Sequence, residues 1–400
     1  MNSHVPRTDH ATPPPRLSWM LALATLGFLV AFWAWSLLAP LAPALRQELD
    51  LTPFQQSLVV ATPVLVGSLG RIPIGALTDR AGARVMFPLV TAATILPVLY
   101  LGHVADSLAE VLLGGFLLGL GGTTFAIGVP FVNSWYPPGR RGLALGVFGI
   151  GTGGTAISAF TTVQLTDAVG RSFPFDLVAV LLAVYALTAC LFLRDNPRRA
   201  VTAESLLART AATLRMAVAW QTAFLYAVSF GGFVAFSVYL PTYLTTAFGL
   251  GRSDAATRTA GFVLLAVAMR PVGGWLSDRV RPVPVLVAAY AVVAALALVA
   301  AAEAPLVPLG TISFLGMAAA LGAGAGAVFA LVARLVPPER VGSVTGVVGA
   351  AGGLGGFFPP LVMGVVNSVT RDYTWGYVLL AATAAVAGVF TATVVRRRTR

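Results

Sequence analysis

Two arginines stand alone within long apolar runs. Arg71 and Arg270 each lie eight residues before an Asp-Arg pair, Asp79-Arg80 and Asp278-Arg279. A guanidinium is always charged and presents a planar fork of donors that fits the oxygens of carboxylate, nitrate or phosphate. Neither run has an Asp or Glu in its middle; Glu110, Asp167 and Asp176 fall near the ends of other apolar runs. Two guanidinium groups without an acid point to a bound anion. The plainer alternative is snorkelling towards an interface, or pairing with a buried acid. Other chemistry lacks its parts. All 26 basic residues are arginine, which removes a phosphate-loop lysine and a Schiff-base amine. Cys190 is the single cysteine, and with His4, His10 and His103 it forms no metal-ligand pattern. Neither a metal nor a cofactor is expected, and no nucleophile–base pair argues for an enzyme.

Something must hold these arginines inside apolar surroundings. The 400 residues are 57% hydrophobic and 10% charged, whereas a soluble domain carries about 25% charged residues. Twelve membrane helices of about 20 residues would use roughly 240 of them. Apolar runs separated by polar breaks fall near 17–44, 54–78, 83–103, 107–135, 142–168, 172–193, 217–247, 256–277, 282–303, 305–333, 341–368 and 373–395. With the amino terminus inside, 19 arginines fall on cytoplasmic segments and five on the outside (Arg46, Arg171, Arg252, Arg258, Arg371). That asymmetry is the positive-inside rule, so both termini are expected in the cytoplasm. The basic balance therefore reflects topology and membrane lipid, not nucleic acid. The expected organisation is a polar tail at 1–16, a six-helix bundle at 17–193, a cytoplasmic linker at 194–216, a second bundle at 217–395 and a basic tail at 396–400.

The bundles repeat. Arg71-Ile-Pro-Ile-Gly-Ala-Leu-Thr-Asp79-Arg80 matches Arg270-Pro-Val-Gly-Gly-Trp-Leu-Ser-Asp278-Arg279 at an offset of 199, and the segment from Tyr136 to Gly146 matches Val336 to Gly346 at an offset of 200. Parallel halves imply a pseudo-two-fold axis along the membrane normal with substrate near the midplane. Eight residues of helix rise about 12 Å against a half-bilayer of about 15 Å, which places both arginines at one depth near that midplane. Tyr226 and Phe230 share a helix face at i and i+4 and can flank a flat ligand, with Phe125 and Phe329 in comparable positions on the fourth and tenth spans.

The stretch Gly75-x-x-x-Asp79-Arg80-x-Gly82-x-Arg84, its partial copy at Gly274, Asp278 and Arg279, the twelve spans and the repeat together resemble the major facilitator superfamily. Gly121-Gly-Thr-Thr-Phe125-Ala with the run from Gly142 to Gly154, and Gly322 to Phe329 with Gly346 to Pro360, look like the paired signatures of its nitrate/nitrite porter family. The resemblance implies an all-α membrane protein of two pseudo-symmetric six-helix bundles. It further implies that Arg71 and Arg270 hold substrate, with Tyr226, Phe230 and Phe125 beside them. The family's helix-five Asn is Thr152 here, which still carries a donor, and its tenth-helix Asn is Ala325, which does not. Its first-helix aromatic falls somewhere among Phe28, Phe32, Trp33 and Trp35.

Asp79, Arg80, Asp278 and Arg279 read as gate or folding residues that latch helix ends. Gly149-x-Gly151-x-x-Gly154 mimics a dinucleotide fingerprint, but it sits in an apolar span and follows no strand. With Gly146, Gly346 and Gly353 it reads instead as close packing of helices five and eleven, which are expected to move. The resulting expectation is a monomeric nitrate/nitrite transporter of a bacterial-type inner membrane, exchanging one anion for the other. Anion entry against a negative interior costs about 2.3 kcal/mol per 100 mV, and exchange avoids that cost. Proton-coupled import, transport of another small anion, or a sensor built on a transporter scaffold are the alternatives.

Overall fold

Helix-end chemistry and apolar length divide the chain into long rods. The computed structural model describes residues 15–197, 206–302, 305–337, 340–370 and 373–398. Among these residues there is no strand, and 12 helices are long and apolar enough to cross a membrane. They are α1 (Leu17–Glu48), α2 (Phe54–Ala81), α3 (Ala83–His103), α4 (Leu108–Trp135), α5 (Arg141–Val169), α6 (Phe173–Phe192), α7 (Ala217–Pro241), α8 (Asp254–Val280), α9 (Pro282–Ala301), α10 (Leu306–Leu335), α11 (Val341–Pro359) and α12 (Thr374–Val395). Most of the expected tail at 1–16, together with Arg198, Arg199, Arg371 and Arg400, lies outside the described residues. So does the middle of the linker, of which the helix Leu206–Leu214 is described.

Capping boxes start α2 and α4. Thr52 and Gln55, and likewise Ser107 and Glu110, exchange side-chain and backbone bonds that satisfy donors the first helical turn leaves open. Their surface is the inverse of a soluble protein's. Leu96, Leu187 and Val389 are more than 60% exposed, and such an apolar outer band suits hydrocarbon surroundings.

The helices pack as two halves. In the first, α1 lies against α4, α5 and α6, and α3 against α6; in the second, α7 lies against α11, α8 against α10, and α9 against α12. Two contacts related by the repeat, α5 on α8 and α11 on α2, form much of the seam between the halves, and α4 also touches α11. Small residues set how near these helices come. A Cβ on Gly146 would stand 2.7 Å from the Arg270 carbonyl oxygen, and one on Gly346 would stand 3.0 Å from the Arg71 carbonyl oxygen. The expectation for the glycines of helices five and eleven needs redistribution. Gly146, Gly346 and Gly353 serve the seam, against α8, α2 and Ser68 of α2, whereas Gly151 and Gly154 meet Phe28 and the backbone of α1 inside one half.

One end of the molecule, here the basic end, carries Arg80, Arg84, Arg140, Arg141, Arg194, Arg279 and Arg281. There the Asp278 carboxylate accepts from the backbone N–H groups of Gly142 (3.3 Å) and Leu143 (2.9 Å), at the start of α5. A carboxylate at a helix N-terminus is charge-assisted and favoured by the helix dipole. Asp79 stands against Gly342 at the start of α11, the repeat-related position. Asp195 accepts from Ala83 and Arg84 and so caps α3. Arg279 stacks over Trp275 at 4.5 Å. The linker helix packs on both α2 and α11, and the Thr213 hydroxyl donates to that of Ser343 at 3.0 Å.

The turn after each Asp-Arg pair is also repeated. Gly82 has φ 88° and ψ 158°, and Arg281, 199 residues on, has φ 76° and ψ 152°. That region suits glycine and strains a residue with a Cβ by about 1–3 kcal/mol. Arg281→Gly is therefore expected to raise the thermal midpoint in detergent, by about 1 kcal/mol of stability once added chain entropy is subtracted. Gly82→Ala should lower it. Equal or inverted shifts would show that the turn carries no strain.

Candidate functional site

The repeat that aligns Arg71 with Arg270 also decides what each one meets. Arg71 is 1% exposed and Arg270 3%. Arg71 donates from Nη1 to the Gly349 carbonyl at 2.6 Å and from Nε to the Gly122 carbonyl at 3.1 Å. Arg270 donates from Nη1 to the Gly149 carbonyl at 3.2 Å. Gly149 and Gly349 are themselves related by the 200-residue repeat, so each arginine reaches across the seam to the same carbonyl of the other half. The stems follow the same symmetry. A Cβ on Gly349 would stand 3.1 Å from Cδ of Arg71, and one on Gly149 would stand 3.0 Å from Cδ of Arg270. A bare backbone there leaves each side chain room to lie along the opposite helix.

This corrects one expectation. The two guanidinium groups are not without partners: backbone carbonyls stand where an acid was sought. They are incompletely satisfied, however. Nε and Nη2 of Arg270 and the Tyr226 hydroxyl are buried and have no well-formed hydrogen bond to the rest of the protein; the hydroxyl lies against the Arg270 guanidinium and close to that of Arg71. Buried donors left open are costly, so the site holds capacity that its own atoms do not use.

Aromatic rings fill the space between the arginines. Phe230 takes both guanidinium groups on its ring, Arg71 at 5.5 Å and Arg270 at 5.0 Å from the centroid. Phe125 lies under Arg71 at 5.2 Å and Phe233 beside Arg270 at 5.4 Å. A ring face is electron-rich, and these contacts spread the cationic charge. Tyr226 and Phe230 have parallel rings 5.0 Å apart, and Phe329 meets Tyr226 edge-on at 4.7 Å and Phe125 at 5.1 Å. Tyr226 and Phe230 therefore form one wall instead of flanking a slot from two sides. A cavity of about 10 Å³ remains, touched by Phe125, Val129, Leu145, Tyr226, Arg270 and Phe329. That is room for about one water molecule. A larger crevice of about 430 Å³ between α7, α11 and α12 has no charged lining residue and lies away from the arginines.

Of the residues singled out from sequence, Arg71, Arg270, Tyr226, Phe230, Phe125 and Phe329 converge. Thr152 differs: its hydroxyl donates to the Gly149 carbonyl at 2.8 Å, the same oxygen that Arg270 reaches, so its donor is spent inside α5. A 3-10 turn over Ile150–Gly153 makes that i−3 bond possible. Asp79, Arg80, Asp278 and Arg279 stand at the basic end and not in this cluster. Of the four first-helix aromatics, Phe28 is fully buried, stacked on Phe148 at 4.8 Å and 5.6 Å from Phe125. Phe148 and Phe233 were not singled out. Phe233 follows Tyr226 and Phe230 at i+7 and i+3, a spacing readable along α7. The Gly149 and Gly349 carbonyls carried no sequence signal as acceptors.

Comparison with known proteins gives the following. The Major Facilitator Superfamily pattern matches residues 24–325 and 222–400. The chain is 51% identical over 375 residues to a probable nitrate/nitrite transporter, NarK2, of Mycobacterium tuberculosis, covering 93% of this chain and 95% of that one. It is 38% identical over 364 residues to the nitrite extrusion protein of Bacillus subtilis, covering 90% of each. Among solved structures, the human organic anion transporter MFSD10 (TETRAN) superposes with a TM-score of 0.78 at 15% identity, over 94% of this chain and 100% of that one; a likeness at that identity concerns the fold.

Gly352 packs on the rings of Tyr226 and Phe230. Gly352→Ala is expected to lose about 1–3 kcal/mol by overpacking and to alter near-ultraviolet circular dichroism from those rings. An unchanged spectrum and thermal midpoint would mean that the wall yields freely.

Proposed function

Because the chain belongs to the nitrate/nitrite porter family of the Major Facilitator Superfamily, we propose that it carries nitrate and nitrite across a bacterial inner membrane by alternating access. The basic end faces the cytoplasm in this reading, as the arginine asymmetry requires. Arg71 and Arg270 hold the anion between the halves, and Tyr226 adds a hydroxyl donor. Phe125, Phe230 and Phe329 give it a flat apolar boundary. The observation that carries this reading is the buried donor set formed by Nε and Nη2 of Arg270 and the Tyr226 hydroxyl beside them, which have at most one another as partners. Nitrate offers three acceptor oxygens to such a set and nitrite two, with a negative charge to set against the guanidinium groups.

The mechanism follows from competition. Each guanidinium spends a donor on a carbonyl of the other half, which draws the seam shut to a space of about 10 Å³. A nitrate ion needs more room than one water. Its oxygens are charged acceptors that fit the guanidinium fork and add ion pairing, which a neutral carbonyl does not offer, and so they displace the carbonyls. Releasing Gly149 and Gly349 frees α5 and α11 to shift against α8 and α2, while Asp278 at the α5 start must release Gly142 and Leu143 before the basic end opens. The anion thus replaces the bonds that hold the halves together, and the loaded carrier turns. Exchange of nitrate for nitrite is electroneutral and spares an importer the cost of the membrane potential.

Uptake of nitrate into proteoliposomes checks the mode. Vesicles loaded with nitrite should take up nitrate, and empty vesicles at matched pH should not. Uptake by empty vesicles that follows an imposed proton gradient would replace exchange by proton symport, and no uptake by folded protein would reject nitrate as substrate. Arg71→Lys and Arg270→Lys keep the charge but lose the fork. Each is expected to weaken nitrate binding roughly ten- to hundredfold. Wild-type affinity in either variant would remove that arginine from the site.

A further inference from the structure

Two polar side chains lie between the arginines and the basic end and belong to neither the site nor the Asp latch. Asn133 of α4 is 3% exposed and Thr345 of α11 is fully buried, and Oδ1 of Asn133 and Oγ1 of Thr345 have no hydrogen-bond partner. The behaviour of Thr345 departs from its kind here. Thr25, Thr62, Thr91, Thr94, Thr222 and Thr259 all donate to the carbonyl four residues back, the usual way for a helical threonine to satisfy itself. Thr345 does not.

Position along each helix explains where these groups face. Phe125, Val129 and Asn133 follow at i, i+4 and i+8; the first two touch the residual cavity, and Asn133 continues that stripe about 12 Å towards the basic end. Thr345 lies one turn, about 6 Å, from Gly349 in the same direction. It shares a stripe with Gly349, which meets Phe125, and with Gly352, which meets Tyr226 and Phe230. Its repeat-related residue is Leu145, which touches the cavity from α5. One half thus puts leucine at this place and the other a hydroxyl that bonds to nothing. Polar atoms kept dry and unpaired in the closed seam oppose that closure, and they regain partners when the seam parts.

We propose that Asn133 and Thr345 form a transit subsite for the same small oxyanion as it passes between the arginines and the basic end; this rests on the transport reading above. The Thr345 hydroxyl donates to an anion oxygen, and the Asn133 amide, turned by half a rotation, presents its two N–H donors. Neither carries charge, so the subsite holds the ion briefly and hands it on. The arginines of the basic end, among them Arg141, whose Nε donates to the Tyr136 carbonyl at 2.9 Å, lie further along the same direction.

Asn133→Leu and Thr345→Val keep approximate shape and remove the polar atoms. Each should slow nitrate–nitrite exchange in proteoliposomes, and the double variant should slow it at least roughly tenfold. Equilibrium binding of nitrate to the detergent-purified variants should stay within about threefold of wild type, and their thermal midpoints should rise, because unpaired buried atoms have gone. Asn133→Gln and Thr345→Ser should restore exchange. Wild-type exchange rates in the double variant overturn the subsite, and so does a parallel loss of binding, which would assign the residues to the arginine site. Failure of the wild-type protein itself to bind or carry nitrate would defeat the transport reading, and the subsite with it.

Discussion

The bond from each central arginine to a glycine carbonyl of the opposite half is the constraint on which the rest depends. It is made twice, by Arg71 to Gly349 and by Arg270 to Gly149, and the internal repeat relates the two. A buried guanidinium is costly unless donors and charge are both answered. Carbonyls answer part of the first demand and ring faces part of the second. The glycines at 149 and 349 are there because the arginine stems lie on them. The glycines one turn further, 146 and 346, are there because the arginine backbones do. A charged pair thus dictates the smoothness of two helices and the tightness of the seam.

That arrangement separates two tasks that a single set of bonds would confuse. At the basic end, Asp278, near the end of α8, is tied to the start of α5 by charge-assisted bonds from Gly142 and Leu143. In the centre, neutral carbonyls accept from the charged groups. Under the proposed transport cycle the centre is the part of the seam that responds to the anion, and the basic end is the part that follows. Aromatic packing stiffens the first: Phe28, Phe148, Phe125, Tyr226, Phe230 and Phe329 join rings from α1, α5, α4, α7 and α10. Movement of one half against the other therefore changes the walls of the site as a unit.

Much of this was legible in the order of residues. Hydropathy and the arginine pattern specify twelve spans, and the repeat specifies two halves, because hydrocarbon tolerates few polar groups and a duplicated motif keeps its register. The convergence of Arg71, Arg270, Tyr226, Phe230, Phe125 and Phe329 was also readable, since each lies at a matched depth on its helix. Thr152 was not: its hydroxyl is taken by the Gly149 carbonyl of its own helix, a bond that residue type alone does not announce. That Phe28, among four aromatics of α1, packs on Phe125 and Phe148 depended on which face of that helix meets α4 and α5.

The sequence by itself determined the membrane architecture, the symmetry and the presence of two uncompensated cations at one depth, because composition, spacing and charge act along the chain. Tertiary structure alone decided what those cations touch. The carbonyls of Gly149 and Gly349 belong to residues without side chains, 121 and 278 positions from their arginines. A backbone oxygen is the same at every residue, so only the packing of α5 on α8 and α11 on α2 makes those two oxygens the partners.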